Sequence, residues 1–179
     1  NNGKFDGGQL SSSEKELRDF YKRLLNFSLK SSALMGGYQE IQGANRNIVQ
    51  GYDKDLYTFA RWSKEEQLIV VANFSSTIAS NYEMRVPADL IEKWNIKDGT
   101  YTLVDPLYGK YNTELKVING EGRASIAIAP SESFILKFKS ILYGGTLLNF
   151  SSGGRNTASG YFSEQVNRAH HSLVISKQR

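Results

Sequence analysis

Proton transfer, metal binding and nucleophilic attack each need particular side chains, and this chain offers few. The acids Asp53, Asp55, Glu65 and Glu66 fall in two polar segments, "GYDKDL" and "SKEEQ", that read as turns. Turn carboxylates are ordinarily solvated or bonded to nearby backbone, and nothing in the spacing makes two of them converge; all four are read as solvated turn residues. The two histidines, His170 and His171, are adjacent. Neighbouring histidines point in different directions on most backbones and here lack a spaced third ligand, so they read as part of a solvated tail rather than half of a metal site. Gly7-Gly8 and Gly120-Glu121-Gly122 lack the strand-to-helix setting and the Lys-Ser/Thr pair of a phosphate loop. There is no cysteine, which removes disulfides, thiolate metal sites and cysteine nucleophiles together.

The elements that would have to position any site are ordinary in composition. At 179 residues, 40% apolar and 22% charged, the chain can bury one substantial core and has too much hydrophobic material for a disordered segment. A net charge of +4 is spread singly among acids, which favours a solvated surface over a nucleic-acid patch. The longest aliphatic run, Leu68 to Ala72, is far too short to span a membrane. Residues 1–10, "NNGKFDGGQL", lack the basic start and apolar stretch of a signal peptide and read as a loop cut from something longer. Periplasm, cell surface and cytoplasm all stay open.

"SSSEKELRDFYKRLLNFSLK" predicts a helix, with capping-box spacing at Ser11/Glu14 and again at Ser13/Glu16. Leu17, Phe20, Tyr21, Leu24, Leu25 and Leu29 follow at steps of three and four, giving an apolar stripe opposite Glu14, Lys15, Arg18, Lys22 and Arg23. After Gly36-Gly37 the period becomes two. Strands are predicted at Tyr38–Gln42, Leu56–Trp62, Gln67–Phe74, Tyr82–Val86, Thr100–Val104, Glu114–Ile118, Arg123–Ala129 and Ser133–Phe138, with "NGEG" at 119–122 making a tight hairpin. The fold class is mainly β: an antiparallel, Greek-key type β-sandwich of about eight strands preceded by one amphipathic α-helix. Residues 140–179 change character, with Gly and Ser as punctuation, and read as a tail or linker carrying one marginal helix near 161–171.

"ELRDFYKRLLNFSLKSSALMGGYQEI", "DLYTFARWSKEEQLIVVANFS", "GTYTLVDPLYGKY" and "APSESFILKF", in this order, resemble the C-terminal end of the alpha-amylase family of glycoside hydrolases, family 13. The likeness covers about residues 5–139, and the "FDGGQL" start most resembles starch-degrading members from gut Bacteroidetes. The resemblance implies that residues 1–35 are a loop and the last helix of a truncated (β/α)8 barrel, residues 36–139 a C-terminal β-sandwich domain, and residues 140–179 an addition beyond it. It implies a parent enzyme acting on α-1,4-glucans, with the catalytic barrel as partner of this segment. No cofactor is implied in the segment itself; calcium would belong to the parent's catalytic domain.

Glycoside hydrolysis uses a carboxylate nucleophile and a carboxylic acid flanking the scissile bond. In the family these lie on barrel strands upstream of the last helix, and no position here matches them. "GGRNT" at 153–157 resembles the nucleophile motif except that Thr157 stands where the family has an acid two residues after the arginine. The segment is therefore expected to be inactive alone. Aromatics are the remaining candidates, because flat C–H faces of sugars stack on exposed rings: Trp62, Trp94, Tyr108 and Tyr111 are the residues that could hold an α-glucan, with Trp94, Tyr108 and Tyr111 placed in loops. The favoured alternative is that they plug the ends of the sandwich or its junction with the barrel. Phe59, Val70 and Ala72 are expected to fill the sandwich core. Without a barrel, the stripe of Leu17, Phe20, Leu24 and Leu25 is expected to be left as an exposed patch that promotes self-association.

Overall fold

The computed structural model describes residues 3–4 and 6–139, and the backbone of 141–143 and 146–148. It is mainly antiparallel β with one long N-terminal helix. Helix α1 (Ser12–Lys30) starts at the first of the two capping boxes: the Glu14 amide donates to Ser11 Oγ (3.4 Å) and the Ser11 amide to Glu14 Oε2 (2.8 Å). The strands are β1 (Gly37–Glu40), β2 (Leu56–Trp62), β3 (Gln67–Asn73), β4 (Ser80–Val86), β5 (Gly99–Val104), β6 (Asn112–Ile118), β7 (Glu121–Ile128) and β8 (Ser133–Phe138). A short hairpin of β9 (Ile141–Tyr143) and β10 (Thr146–Leu148) follows inside the region expected to be a tail. The helix expected near 161–171, His170-His171 and the 153–157 motif lie outside the described residues.

The eight strands form one sheet in the order β1-β2-β3-β8-β5-β6-β7-β4. Strand β4 lies beside β7 rather than β5, which makes β4–β7 a Greek key. Inward residues from both halves of the sheet share one core: Leu56, Ile69, Val71 and Leu136 from one half meet Met84, Leu115, Val117 and Ile126 from the other. The sheet is thus curled over its own face, and the two halves pack as the layers of a sandwich. At the β6–β7 hairpin Asn119 (φ 51°) and Gly120 (φ 77°) take the left-handed conformation that such a turn requires, and their amides donate to the Asp98 carboxylate (2.8 and 3.0 Å).

Helix formation between β4 and β5 also went unpredicted. Helix α2 (Ala88–Lys93) caps one end of the sandwich, burying Leu90 and Ile91. Six residues hold fewer than two helical turns, too few for a period to be read. A Cβ at Gly122 would sit only 3.0–3.2 Å from Leu115, Val86 and Ile91, so glycine there lets α2 lie close on β7. Trp94, at the end of α2, is swung into the core. Of the described residues, no helix is long and apolar enough to cross a membrane, and no group of three or more metal-ligating side chains converges.

Candidate functional site

The register of the first half-sheet determines which side chains share its outward face. Directly opposed residues in an antiparallel pair lie on the same side. Arg61 opposes Tyr38 and Leu68, and Leu68 opposes Lys137; Phe59 opposes Glu40 and Val70, and Val70 opposes Ile135; Tyr57 opposes Ala72. All of these point away from the core formed by Leu56, Ala60, Ile69, Val71 and Leu136. Phe59, Val70 and Ala72 therefore lie on the face opposite to the one expected. A one-residue error in parity moves a whole strand's side chains between faces, and here both faces of β2 and β3 are rich in apolar residues.

Among the described residues this outward face is covered at one end only. The last turn of α1 and the 3₁₀ turn Ser32–Met35 bring Phe27, Ala33 and Leu34 onto Leu68 and Ile135, with Leu107 and Val70 at the margin; Leu68 is fully buried. Beyond that cover lies an aromatic cluster. Tyr38 and Tyr57 both touch Phe59 (ring centroids 5.7 and 5.6 Å), and their hydroxyls are 2.6 Å apart. That hydroxyl contact is the main reason the Tyr38 phenol is held above its ordinary pKa: one proton of the pair is already committed. Tyr38 keeps half its surface in solvent, and the Arg61 guanidinium stands 6.0 Å from its ring centre.

Helix α1 carries apolar side chains of its own beyond that cover. No residue of it is buried; Phe20, Leu24 and Phe27 are half-buried, while Leu17 (57%), Tyr21 (52%), Leu25 (59%) and Leu29 (86%) are open to solvent. Besides the end packed on Leu68, α1 touches the domain through Arg23, whose guanidinium lies 5.0 Å from the Tyr108 ring centre and donates to the Leu107 carbonyl (3.4 Å).

Of the four aromatics singled out from sequence, Trp62 and Trp94 are brought together, but inside the domain and apart from Tyr108 and Tyr111. Trp94 is 2% exposed, edge-on to Trp62 (6.5 Å) and Phe138 (5.9 Å), and offers no face to a sugar. Trp62 is half-buried against the core, with its ring so close under Gly37 that a Cβ there would strike it. Tyr111 stacks on Phe134 (4.1 Å, 17°); its hydroxyl accepts from the Ala127 amide (2.9 Å), and burial pushes its pKa up. Only Tyr108 of the four is exposed (41%), and Arg23 and Lys110 stand over its ring at 5.0 and 5.5 Å. The loop carrying it is fixed by Asp105, whose carboxylate accepts from the Leu107 and Tyr108 amides (2.8 and 3.1 Å). The period-two alternation of "LYTF" could have disclosed Tyr57 with Phe59, but only the β1–β2 register adds Tyr38.

The acids separate in the same way. Asp53 accepts from the Asp55 amide (3.1 Å) as a turn residue does, and Glu65 is exposed. Glu66 is not solvated: it is 7% exposed and accepts from Ser31 Oγ (2.6 Å), the Ala33 amide (3.1 Å) and Lys137 Nζ (2.6 Å). Burial works against its charge, but the bonds from Lys137, Ser31 and Ala33 outweigh it and hold the carboxyl below the usual glutamate range.

No protein-family model and no curated protein matches this chain. Among solved structures it is similar to an AmyP variant in complex with maltotriose (TM-score 0.48, 21% identity, covering 73% of this chain and 22% of that one). It is also similar to AmyP in complex with maltose (0.46, 20%, 72% and 21%). A third similar structure is an alpha-amylase from Anoxybacillus (0.47, 17%, 72% and 24%). The chain spans less than a quarter of the length of each of these proteins.

Proposed function

We propose that residues 12–139 are the last barrel helix and non-catalytic C-terminal β domain of an alpha-amylase-like glycoside hydrolase acting on α-1,4-glucans, and that their role is to support the catalytic (β/α)8 barrel. The observation that carries this reading is two apolar features left without cover among the described residues: the open stripe of α1 (Leu17, Tyr21, Leu25) and the Tyr38–Tyr57–Phe59 end of the outward sheet face. Exposed apolar side chains grouped in this way are a cost to a free-standing soluble domain and are ordinary at an interface. The order of sequence segments that resembles family 13 supplies the identity of the partner. On this reading the chain alone associates with itself and binds a hydrophobic dye, and Leu17→Ser with Leu25→Ser abolishes both. A clean monomer by light scattering that binds no dye would remove the basis for it.

A second reading, an α-glucan-binding module, is favoured by one feature: the exposed ring of Tyr38 and the half-buried ring of Tyr57 are held to each other through their hydroxyls. Rings half in solvent can stack on sugar faces. Titration of the purified chain with maltoheptaose, and a pull-down on insoluble starch, separates the two. Saturable binding lost in Tyr38→Ala and kept in Trp94→Phe would establish the module; no binding at millimolar sugar would leave the supporting role.

A further inference from the structure

The charged turn between β2 and β3 does more than reverse the chain. A 3₁₀ turn leaves its first amides without partners, and a side chain at its N-cap usually satisfies one. Ser31 is the N-cap of the turn Ser32–Met35, yet its side chain makes no such bond. The bond to the Ala33 amide comes instead from Glu66, 33 residues away in sequence, and the Ser31 hydroxyl donates to the same carboxylate oxygen. The other oxygen holds Lys137 of β8. Around this centre, Ser32 Oγ and Ser63 Oγ are 2.7 Å apart, and Arg61 donates to the Leu34 carbonyl. A Cβ at Gly36 would collide with the Trp62 carbonyl oxygen, so the chain leaving the helix can lie flat on the hairpin only with glycine there.

We infer that Glu66 is a latch: a carboxylate supplied by the sheet that caps the segment leaving α1 and so fixes the helix at one angle to the β domain. Lys137 completes it. Burial opposes the charge on Glu66, and the paired Lys137 ammonium offsets that cost together with the bonds from Ser31 and Ala33. Phe27 and Leu34 alone pack over Leu68 and Ile135 without direction; the three hydrogen bonds give the joint its orientation. The latch stands on its own contacts, whether or not the outward face docks on a barrel. If it does, a fixed helix means that the helix stripe and the Tyr38–Tyr57–Phe59 cluster reach the partner as one surface.

Amide hydrogen exchange on the full chain tests this. In Glu66→Gln, which keeps the side chain's size but loses the charge, exchange at Ala33 and through residues 28–31 should accelerate about 10- to 100-fold while β6 and β7 keep their protection. Ser31→Ala, which removes one of the three bonds, should give a smaller acceleration at the same amides. Unchanged exchange at Ala33 in both variants overturns the latch. So does an equal acceleration in β6 and β7, or a Glu66→Gln chain that does not fold, because either would make Glu66 a support of the whole domain rather than of one joint.

Discussion

On the half-sheet β4–β7 the outward positions are mostly polar (Asn81, Glu83, Arg85, Thr100, Thr102, Asn112, Glu114, Lys116, Glu121, Arg123 and Ser125, with Val104, Ile118 and Ala127 as the apolar exceptions), whereas on β1–β3 and β8 they are mostly apolar (Tyr38, Tyr57, Phe59, Leu68, Val70, Ala72 and Ile135, with Glu40, Arg61, Ser133 and Lys137 as the polar ones). An antiparallel sheet with one solvated face normally has polar residues on that face, as β4–β7 does. The first half is apolar on both faces, the composition of a layer meant to be covered twice. Part of that second cover is the end of α1 itself; among the described residues nothing covers the Tyr38–Tyr57–Phe59 end.

The scale for a buried side chain is given by Trp94. Trp94→Ala should destabilise the chain by about 3–5 kcal/mol, since it empties the junction of α2, Trp62 and Phe138. Leu68→Ala should come close, at about 2–5 kcal/mol, although Leu68 points away from the main core. Both are read from denaturant unfolding. If Leu68→Ala costs no more than a surface substitution, the outward face of the first half is not a second core, and the contrast between the halves fails.

Acid should loosen the first half before the second. Glu66 has its carboxyl held below the ordinary glutamate value, so its contribution is complete above that value and is lost as pH falls through the lower, folded one. The segments packed beside it carry Lys30 (α1), Arg61 (β2), Lys64 and Glu65 (the turn) and Lys137 (β8), of which Lys137 is its ion-pair partner. Lowering the pH from 7 to 5 should leave the Ala33 amide protected. Release should begin only below the unfolded value of about 4.3 and be complete once the pH has fallen through the lower, folded one, and Glu66→Gln should remove this pH step. A step that persists in Glu66→Gln would assign the acid response to other groups.

How far the sequence discloses these features depends on the range of the interactions that create them. The α1 start is legible because Ser11 and Glu14 satisfy each other within one turn. Strands β2 and β8 are predicted to the residue, since hydrophobic period and turn residues are local. The inward side of β2 and β3 is not legible: "LIVV" is apolar at every position, and only pairing with β8 and cover by Phe27 settle which side is which. Trp94 looks like a loop residue because α2 is too short to show a period. Glu66 looks solvated in "SKEEQ" because its partners come from positions 31, 33 and 137.

The smallest effect belongs to the polar half and tests its solvation. Arg123 sits between Arg85 and Lys116 in the ladder, a row of three like charges, and Glu83 reaches across to it at 3.1 Å. Like charges directly opposite each other destabilise a sheet, so Glu83 both attracts Arg123 and offsets its neighbours. Both side chains of the pair are more exposed than not or nearly so, which keeps the pair's worth small. Glu83→Gln should therefore cost roughly 0.2–1 kcal/mol at low ionic strength, and the cost should fade as added salt shortens the screening length below the strand spacing. Leu68→Ala should keep its full cost over the same range of salt, because the contacts it removes carry no charge. If the Glu83→Gln cost does not fade with salt, the outward face of β4–β7 is not the solvated surface that its composition describes, and the two halves would have to be distinguished on some other ground.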